Sequence, residues 1–346
     1  MVLPCPSLAR ADHASIFMAS FMPEPLLLSI ITVNWNVRDL IRACLLSVRR
    51  EMLLAASQYE LIVLDNDSHD GSVDMLRAEF PDITLIVSPV NLGFGAGCNR
   101  AYRQARGEFI LLLNPDTEVI DHALDGLLDA MRARPTAGII GPRLVHTDGD
   151  FQRDSGGALP TLANVAWNYL FLQHLLPGRL APPPLFLEGD PQGVLPIDWV
   201  SGASMLLRRS AVGPQIFDEA FFLFGEDMDV CDRVHRAGWE VLYDSAHSVV
   251  HHHGSSFDQQ ASVAIKATAH LGPRRVFAKN RGRFSLFLYD AILLLGYGLR
   301  WPLYGLLEAL RPGRGYGARA RFSRSYVGSM LKPQPQPLAG SAKDWL

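Results

Sequence analysis

Cysteine is scarce and scattered in this chain. Cys5, Cys44, Cys98 and Cys231 are the only four, and none stands in a CxxC or otherwise paired spacing. That excludes a zinc cluster and a disulfide framework, and it fits a reducing compartment. An excess of one charge is also missing. The 32 Lys and Arg against 35 Asp and Glu leave a net −3, which argues against a nucleic-acid binder. Charged residues make up 19% and apolar residues 48%. Disorder is therefore excluded, and 346 residues can bury the core of one large domain with an appendage, or of two domains. No internal repeat is found. Met1 to Glu24 lack a basic start followed by a long apolar core, and Asp12 and His13 interrupt the middle. No signal peptide is expected there; a loose arm is, with Met22 a candidate second start.

What is present is a strand–helix alternation over the first 140 residues. "LLLSIITVNW" (26–35) is a nearly continuous apolar and β-branched run, as in a strand buried on both faces. "VRDLIRACLLSVRR" follows with apolar residues at 37, 40, 41, 44, 45 and 48, a helical spacing. "ELIVLDN" (60–66), "ITLIVS" (83–88) and "FILLLN" (109–114) repeat the strand pattern, separated by the helical "GSVDMLRAEF" and "GAGCNRAYRQA". A further helix at about 121–133 leads into "AGIIGPRLV". Such units predict a parallel sheet with helices on both faces, whose ligands bind beyond the carboxyl ends of the strands. Three neighbouring strands deliver acids or amides there: Asn34 and Asn36, Asp65 and Asp67, Asn114 and Asp116. After about residue 150 the alternation fades. "RLAPPPLFLEGDPQG" (179–193) reads as a mobile loop or lid, and "IDWVSGASMLLRRS" (197–210) as a strand and then a turn.

The strand ends carry chemistry. The Asp65 carboxylate can accept the imide N–H of uracil or thymine; a helix N-cap is the alternative, but Ser68 or Asp70 already serves that role. "NLGFGAGCNRA" sets Gly93, Gly95 and Gly97 at a strand-to-helix turn, where a backbone can approach phosphate or sugar closely. The third glycine of a dinucleotide fingerprint would fall on Cys98. A dinucleotide-dependent oxidoreductase is thus a rival reading, with Asp116 as its ribose acid. "FGEDMDVCDRVHRAGW" packs Glu226, Asp227, Asp229 and Asp232 into seven residues behind Phe221, Phe222, Leu223 and Phe224. Acids in a first helical turn suit the dipole. Beside an apolar wall, a carboxylate also gains a raised pKa and can act as a general base. In "SVVHHHGSS", strand alternation turns His251 and His253 one way and His252 the other, so at most one or two reach a common ion. Asp116 alone is a poor cage for a divalent cation, which prefers several oxygen ligands.

In order along residues 27–256, "SIITVNWN", "LIVLDNDSHDGS", "NLGFGAGCNRA", "FILLLNPDTEV", "SGASMLLRRSA", "FDEAFFLFGEDMDVCDR" and "SVVHHHGSS" form a set. That set resembles the inverting glycosyltransferases of family two, in particular their rhamnosyltransferase-like subgroup. The resemblance implies an α/β GT-A fold: a Rossmann-like nucleotide-binding sheet with helices on both faces, a smaller acceptor-side sheet, and a C-terminal helical segment. It implies transfer of a sugar from a nucleotide diphosphate sugar to a hydroxyl of a glycan or polyprenyl-linked acceptor, as in polysaccharide or cell-wall biosynthesis. L-rhamnose from dTDP-rhamnose is the first expectation. Asp65 would bind the base, and Thr32, Asn34, Asn36, Asn91, Gly93, Asn99, Asn114 and Asp116 would complete the nucleotide-sugar site. Asp116 also matches the metal position of the family's Asp-x-Asp motif, whose first Asp is here Asn114. His251 would complete the shell of an Mg²⁺ or Mn²⁺ ion, Asp227 matches the catalytic base, and Glu226 is the second candidate for that role. A sugar nucleotidyltransferase would need a glycine-rich phosphate loop after the first strand, and "TVNWNVRDLIRA" has no glycine.

Leu271 to Lys332 carry ten Arg and two Lys against Asp290 and Glu308, which is +10 and leaves −13 for the rest. The same segment holds "FSLFLYDAILLLGYGLRWPLYGLLEAL", interrupted by Asp290, Arg300 and Glu308 too often to read as a membrane span of about 20 apolar residues. Two readings stay open: a helix pair on an anionic membrane face, or a hairpin packed on the core with a solvated basic rim. The expected division is an arm over 1–25, a GT-A domain over 26–260, a basic and aromatic helical segment over 261–335, and a tail over 336–346. The GT-A domain would have its nucleotide-sugar half at 26–120 and its acceptor half at 121–260. The expected location is cytoplasmic and peripheral on the inner membrane face. A non-catalytic membrane-associated binding protein is the remaining rival.

Overall fold

The computed structural model describes residues 26–252 and 271–331. The arm over 1–25, His253, the expected boundary at 260, Lys332 and the tail lie outside the described residues.

The first half alternates as its apolar periodicity requires: β1 (Leu28–Asn34), α1 (Arg38–Glu51), β2 (Tyr59–Asn66), α2 (Ser72–Glu79), β3 (Thr84–Ser88), α3 (Phe94–Tyr102) and β4 (Phe109–Leu113). These four strands pair in parallel in the order β3-β2-β1-β4. Successive side chains leave opposite faces. Ile31, Val33, Ile62, Leu64, Ile110 and Leu112 therefore enter one core, and Leu28, Ile30, Leu61, Val63, Leu111 and Leu113 the other. Burial on both faces is why these segments are continuously apolar. Cys44, Cys98 and Cys231 are free and buried, acting as small hydrophobic residues.

The chain continues through β5 (Thr117–Val119), α4 (Ala123–Arg132), β6 (Ala137–Val145), β7 (Gly156–Gly157), α5 (Leu162–Tyr169), α6 (Leu172–Leu175), β8 (Val194–Pro196), β9 (Trp199–Val200), β10 (Ser204–Arg208), α7 (Arg209–Val212), α8 (Glu226–Arg236) and β11 (Glu240–His251). The sheet extends from β4 through β10, β6, β11 and β5, and β8 pairs with β11 to make nine strands. β10 runs antiparallel to both β4 and β6, so the sheet is mixed where a parallel one was expected. The smaller acceptor-side sheet is only the two-residue pair β7–β9, because the other acceptor-side strands join the main sheet. The strand expected over 197–210 is β9, a turn, β10 and α7. The Pro-rich 179–193 stretch is docked rather than loose. Asp190 accepts two hydrogen bonds from Arg143 at 2.8 Å, and Leu185 is buried with its carbonyl accepting from Trp199.

Three helices follow: α9 (Leu271–Asn280), α10 (Arg283–Leu310) and α11 (Tyr316–Leu331). The charges that interrupt α10 turn inward. Asp290 pairs with Arg274 of α9, Arg300 donates to the carbonyls of Asn168 and Tyr169 that end α5, and Glu308 accepts from the Gly313 and Gly317 amides. The outward side is left apolar. Phe284, Leu295, Leu299, Leu303, Leu306 and Leu310 are exposed, and at ~100° per residue they share one face opposite Asp290 and Glu308. By length and composition, Arg283–Leu310 is sufficient to cross a membrane, against the expectation from its charges.

Candidate active site

The donor edge is built from the ends of β1, β2 and β4. Asn34 is fully buried and donates from Nδ2 to Asp65 Oδ2 (2.8 Å) and to Ser68 Oγ (3.1 Å). Asp65 Oδ1 accepts from the Ser68 amide, and Ser68 Oγ accepts from the Asn36 amide. Asn36 Oδ1 in turn accepts from the His69 amide. Asp65, 1% exposed, accepts one hydrogen bond at each oxygen, and a carboxylate oxygen can accept more than one. The N-cap of the following helix is Gly71, with no side-chain cap, and Asp70 Oδ1 accepts from the Ser72 amide at its start. Thr32 is buried in mid-strand.

The glycine turn has a packing explanation. A Cβ on Gly93, where φ is +81°, would lie 2.6 Å from the Phe222 carbonyl oxygen. Gly97 presses on Val33 and Leu64. Asn91 closes the turn by accepting from the Gly93 amide and from Asn66. Asn99 is corrected from ligand to clamp. Its Oδ1 accepts from the Ile216 and Phe217 amides and its Nδ2 donates to the Phe217 carbonyl, all at 1% exposure. These roles account for the glycines without a pyrophosphate, which removes the main support of the oxidoreductase reading.

β4 delivers Asn114 and Asp116. The Asn114 amide donates to the Ala203 carbonyl, continuing the β4–β10 ladder into the 201–203 turn. Antiparallel pairing sets His251 opposite Thr117 and His252 opposite no residue of that ladder, while the His252 amide donates to the Asp116 carbonyl. His251 Nε2 consequently lies 3.6 Å from Asp116 Oδ1, whereas His252 points toward Glu118 on the other side. Asp116 and His251 are 2% and 8% exposed. Among the described residues no group of three or more His, Cys, Asp or Glu could hold an ion. A two-residue pair fits a cation only if other oxygens come from the ligand. The buried Asn114 Oδ1 and Asn34 Oδ1, both without a hydrogen-bond partner, are polar atoms that a bound ligand or its water can satisfy. Gln152, which carried no sequence signal, contacts His251 at both its ring and its carbonyl.

The acidic pair opens α8. Phe224 and Gly225 both take positive φ, and Gly225 abuts the backbone of Gly272 at the start of α9. α9 braces this turn further: Lys279 pairs with Asp218 and Asp229, and Arg275 donates to the Ala220 carbonyl. Asp227 is half-buried and accepts from the Met228 amide (2.8 Å) and, weakly, from the Gly202 amide (3.4 Å). Gly202 belongs to the same 201–203 turn that meets Asn114, so one loop joins the acid to the donor edge. Glu226 is buried, with Oε2 lacking any partner. Burial first, and then the charge of Asp227, pushes Glu226 up to about 8. Burial pushes Asp227 up to about 6, against the pull of the amides it accepts from.

Comparison with known proteins agrees with this frame. The family profile described as Glycosyl transferase family 2 matches residues 29–190. The chain is 31% identical over 224 residues to the N-acetylglucosaminyl-diphospho-decaprenol L-rhamnosyltransferase of Mycobacterium tuberculosis, covering 59% of this chain and 70% of that one. It is 27% identical over 240 residues to the O-antigen biosynthesis protein RfbC of Myxococcus xanthus, covering 66% of this chain and 17% of that one. In fold it resembles the mannosyltransferase PcManGT of Pyrobaculum calidifontis, solved with GDP-Man and Mn²⁺, with a TM-score of 0.50, 15% identity, and 88% and 85% of the two chains covered. The mixed sheet with its flanking helices is thus the GT-A arrangement, and the chain belongs to glycosyltransferase family 2.

Proposed function

We propose that this enzyme inverts the anomeric centre of a nucleotide diphosphate sugar, rhamnose in the first instance, as it moves the sugar to a hydroxyl of a lipid-linked glycan. The observation that carries the proposal is the α8 turn. There a half-buried Asp227, pushed up to about 6, stands on the turn that also meets Asn114. At neutral pH Asp227 is ionised and Glu226, pushed up to about 8, is protonated. Asp227 takes the acceptor hydroxyl proton as that oxygen bonds to the anomeric carbon. The bond from that carbon to the phosphate oxygen breaks, and the nucleoside diphosphate leaves. One displacement needs no enzyme nucleophile. Asp116 and His251 are the residues that would hold Mg²⁺ or Mn²⁺, with the donor's phosphates as the remaining ligands. When bound, such an ion neutralises charge on the departing diphosphate. Asn34, Asn36, Asp65 and Ser68 form the rigid floor for the base and ribose. The donor and acceptor class rest on the rhamnosyltransferase relative, whose name specifies a decaprenol diphosphate acceptor. The test is NMR of the product anomer formed from dTDP-rhamnose or a UDP-sugar with Mn²⁺. Retention of configuration, or full transfer by Asp227→Asn, defeats the proposal.

The apolar outer stripe of α10 beside the Arg-rich α11 supports a site held at an anionic membrane face, where a polyprenyl-linked acceptor lies. Leu299→Glu with Leu306→Glu is expected to weaken sedimentation with phosphatidylglycerol vesicles by about tenfold or more. Unchanged sedimentation would leave the hairpin a packed element of the core.

A further inference from the structure

Gln152 is fully buried, and each atom of its amide is used. Nε2 lies 2.6 Å from the His251 carbonyl oxygen and 3.1 Å from the Val145 carbonyl oxygen. It also stands 3.1 Å from His146 Nδ1, while Oε1 lies 3.0 Å from His251 Nδ1. Carbonyl oxygens only accept hydrogen bonds. The two of them therefore fix which end of the Gln152 amide is nitrogen and aim Oε1 at the His251 ring. An amide oxygen also only accepts, so His251 Nδ1 must carry the proton. In a ring with one proton the lone pair is then on Nε2, which faces Asp116 Oδ1 across 3.6 Å. That gap exceeds hydrogen-bond length. It lies between the ~3 Å and ~4.2 Å that separate neighbouring and opposite ligands held at ~2.1 Å from a small divalent ion in octahedral geometry. The loop carrying Gln152 is itself pinned. Its amide donates to the Leu144 carbonyl, and its carbonyl accepts from Ser155 Oγ.

We infer that Gln152 is a positioning residue, which sets the tautomer and orientation of His251 so that Nε2 is presented with Asp116 to a divalent cation. The assignment rests on the metal reading of Asp116 and His251, and it adds the residue that makes that reading work. Partners of this kind raise ligand basicity, and their loss costs 10–100-fold in metal affinity.

The test uses the full chain. Long-range ¹H–¹⁵N correlation of the His251 ring at neutral pH, without metal, should show a protonated Nδ1 and a bare Nε2. A proton on Nε2 overturns the inference without any variant being made. Mn²⁺ affinity is then measured by electron paramagnetic resonance with saturating dTDP. Gln152→Met should lower it by about 10-fold or more and disturb the tautomer. Unchanged affinity and tautomer in Gln152→Met overturn the inference. His251→Ala separates the two layers: if it leaves Mn²⁺ affinity intact, the metal reading itself fails, whatever Gln152 does to the ring.

Discussion

At the end of β2, Asp65 accepts hydrogen bonds from the Asn34 amide group and the Ser68 backbone at 2.8 and 3.0 Å. At the start of α8, Glu226 is almost as deeply buried, yet one of its oxygens has no donor, and its neighbour Asp227 has only one short hydrogen bond. The same functional group thus has opposite surroundings at these two places. A carboxylate supplied with donors is a fixed charge that organises loops. One deprived of them is driven toward its neutral form and can exchange protons near neutral pH. Under the proposed function the donor edge serves as a scaffold, and the α8 turn is where proton chemistry is expected.

The sharpest way to break this contrast is Asp227→Asn. Transfer should fall by ~10²–10⁴, the range for losing a general base, while nucleotide binding measured by calorimetry stays within a few-fold of wild type. A comparable loss on Asp65→Asn with Asp227→Asn active would reverse the assignment. Next in size is Asn114→Asp, which restores a second carboxylate beside Asp116. It should tighten Mn²⁺ binding to the free protein by about tenfold, whereas the parent is expected to bind the ion well only with nucleotide diphosphate present. A smaller effect is expected from Glu226→Gln, which mimics the protonated acid. Activity at neutral pH should persist, and the acidic limb near pH 6 should stay, since it belongs to Asp227. The change near pH 8 that Glu226 ionisation would give the wild type should be absent. Stability follows with a definite sign. Both folded-state values lie above the ~4 of an unfolded carboxyl, so the folded chain holds more protons in between and loses stability as pH rises through that interval. In urea the wild-type midpoint should fall between pH 5 and pH 8 more than that of Glu226→Gln.

Much of the first half was legible because its signals are local. β1, β2, β3 and β4 are apolar on both faces, and that pattern survives in a single segment. The acid pair was legible from four aromatic and aliphatic residues followed by Glu226 and Asp227. His251 and His252 diverge as strand alternation requires. What stayed hidden depends on long-range pairing. β10 slots antiparallel between β4 and β6 with nothing in its own residues to announce it. Gln152 and Gly202 matter only because loops distant in sequence meet at His251 and Asp227. Asn99 looked like a ligand because polar residues beside a glycine turn often are, and its job as a clamp on Ile216 and Phe217 is invisible until those loops are folded together. The charges of α10 misled in the other direction, since only the packed hairpin shows that Asp290, Arg300 and Glu308 face inward.

The proposed role of the α8 turn is tested most directly by the carboxyl ¹³C shifts of Glu226 and Asp227, followed through a pH titration of the full chain. The account predicts two steps for the α8 pair, with apparent values of about 6 and about 8. If Glu226 and Asp227 both ionise near pH 4, the α8 turn is an ordinary helix start and its assignment as the proton-transfer site is wrong.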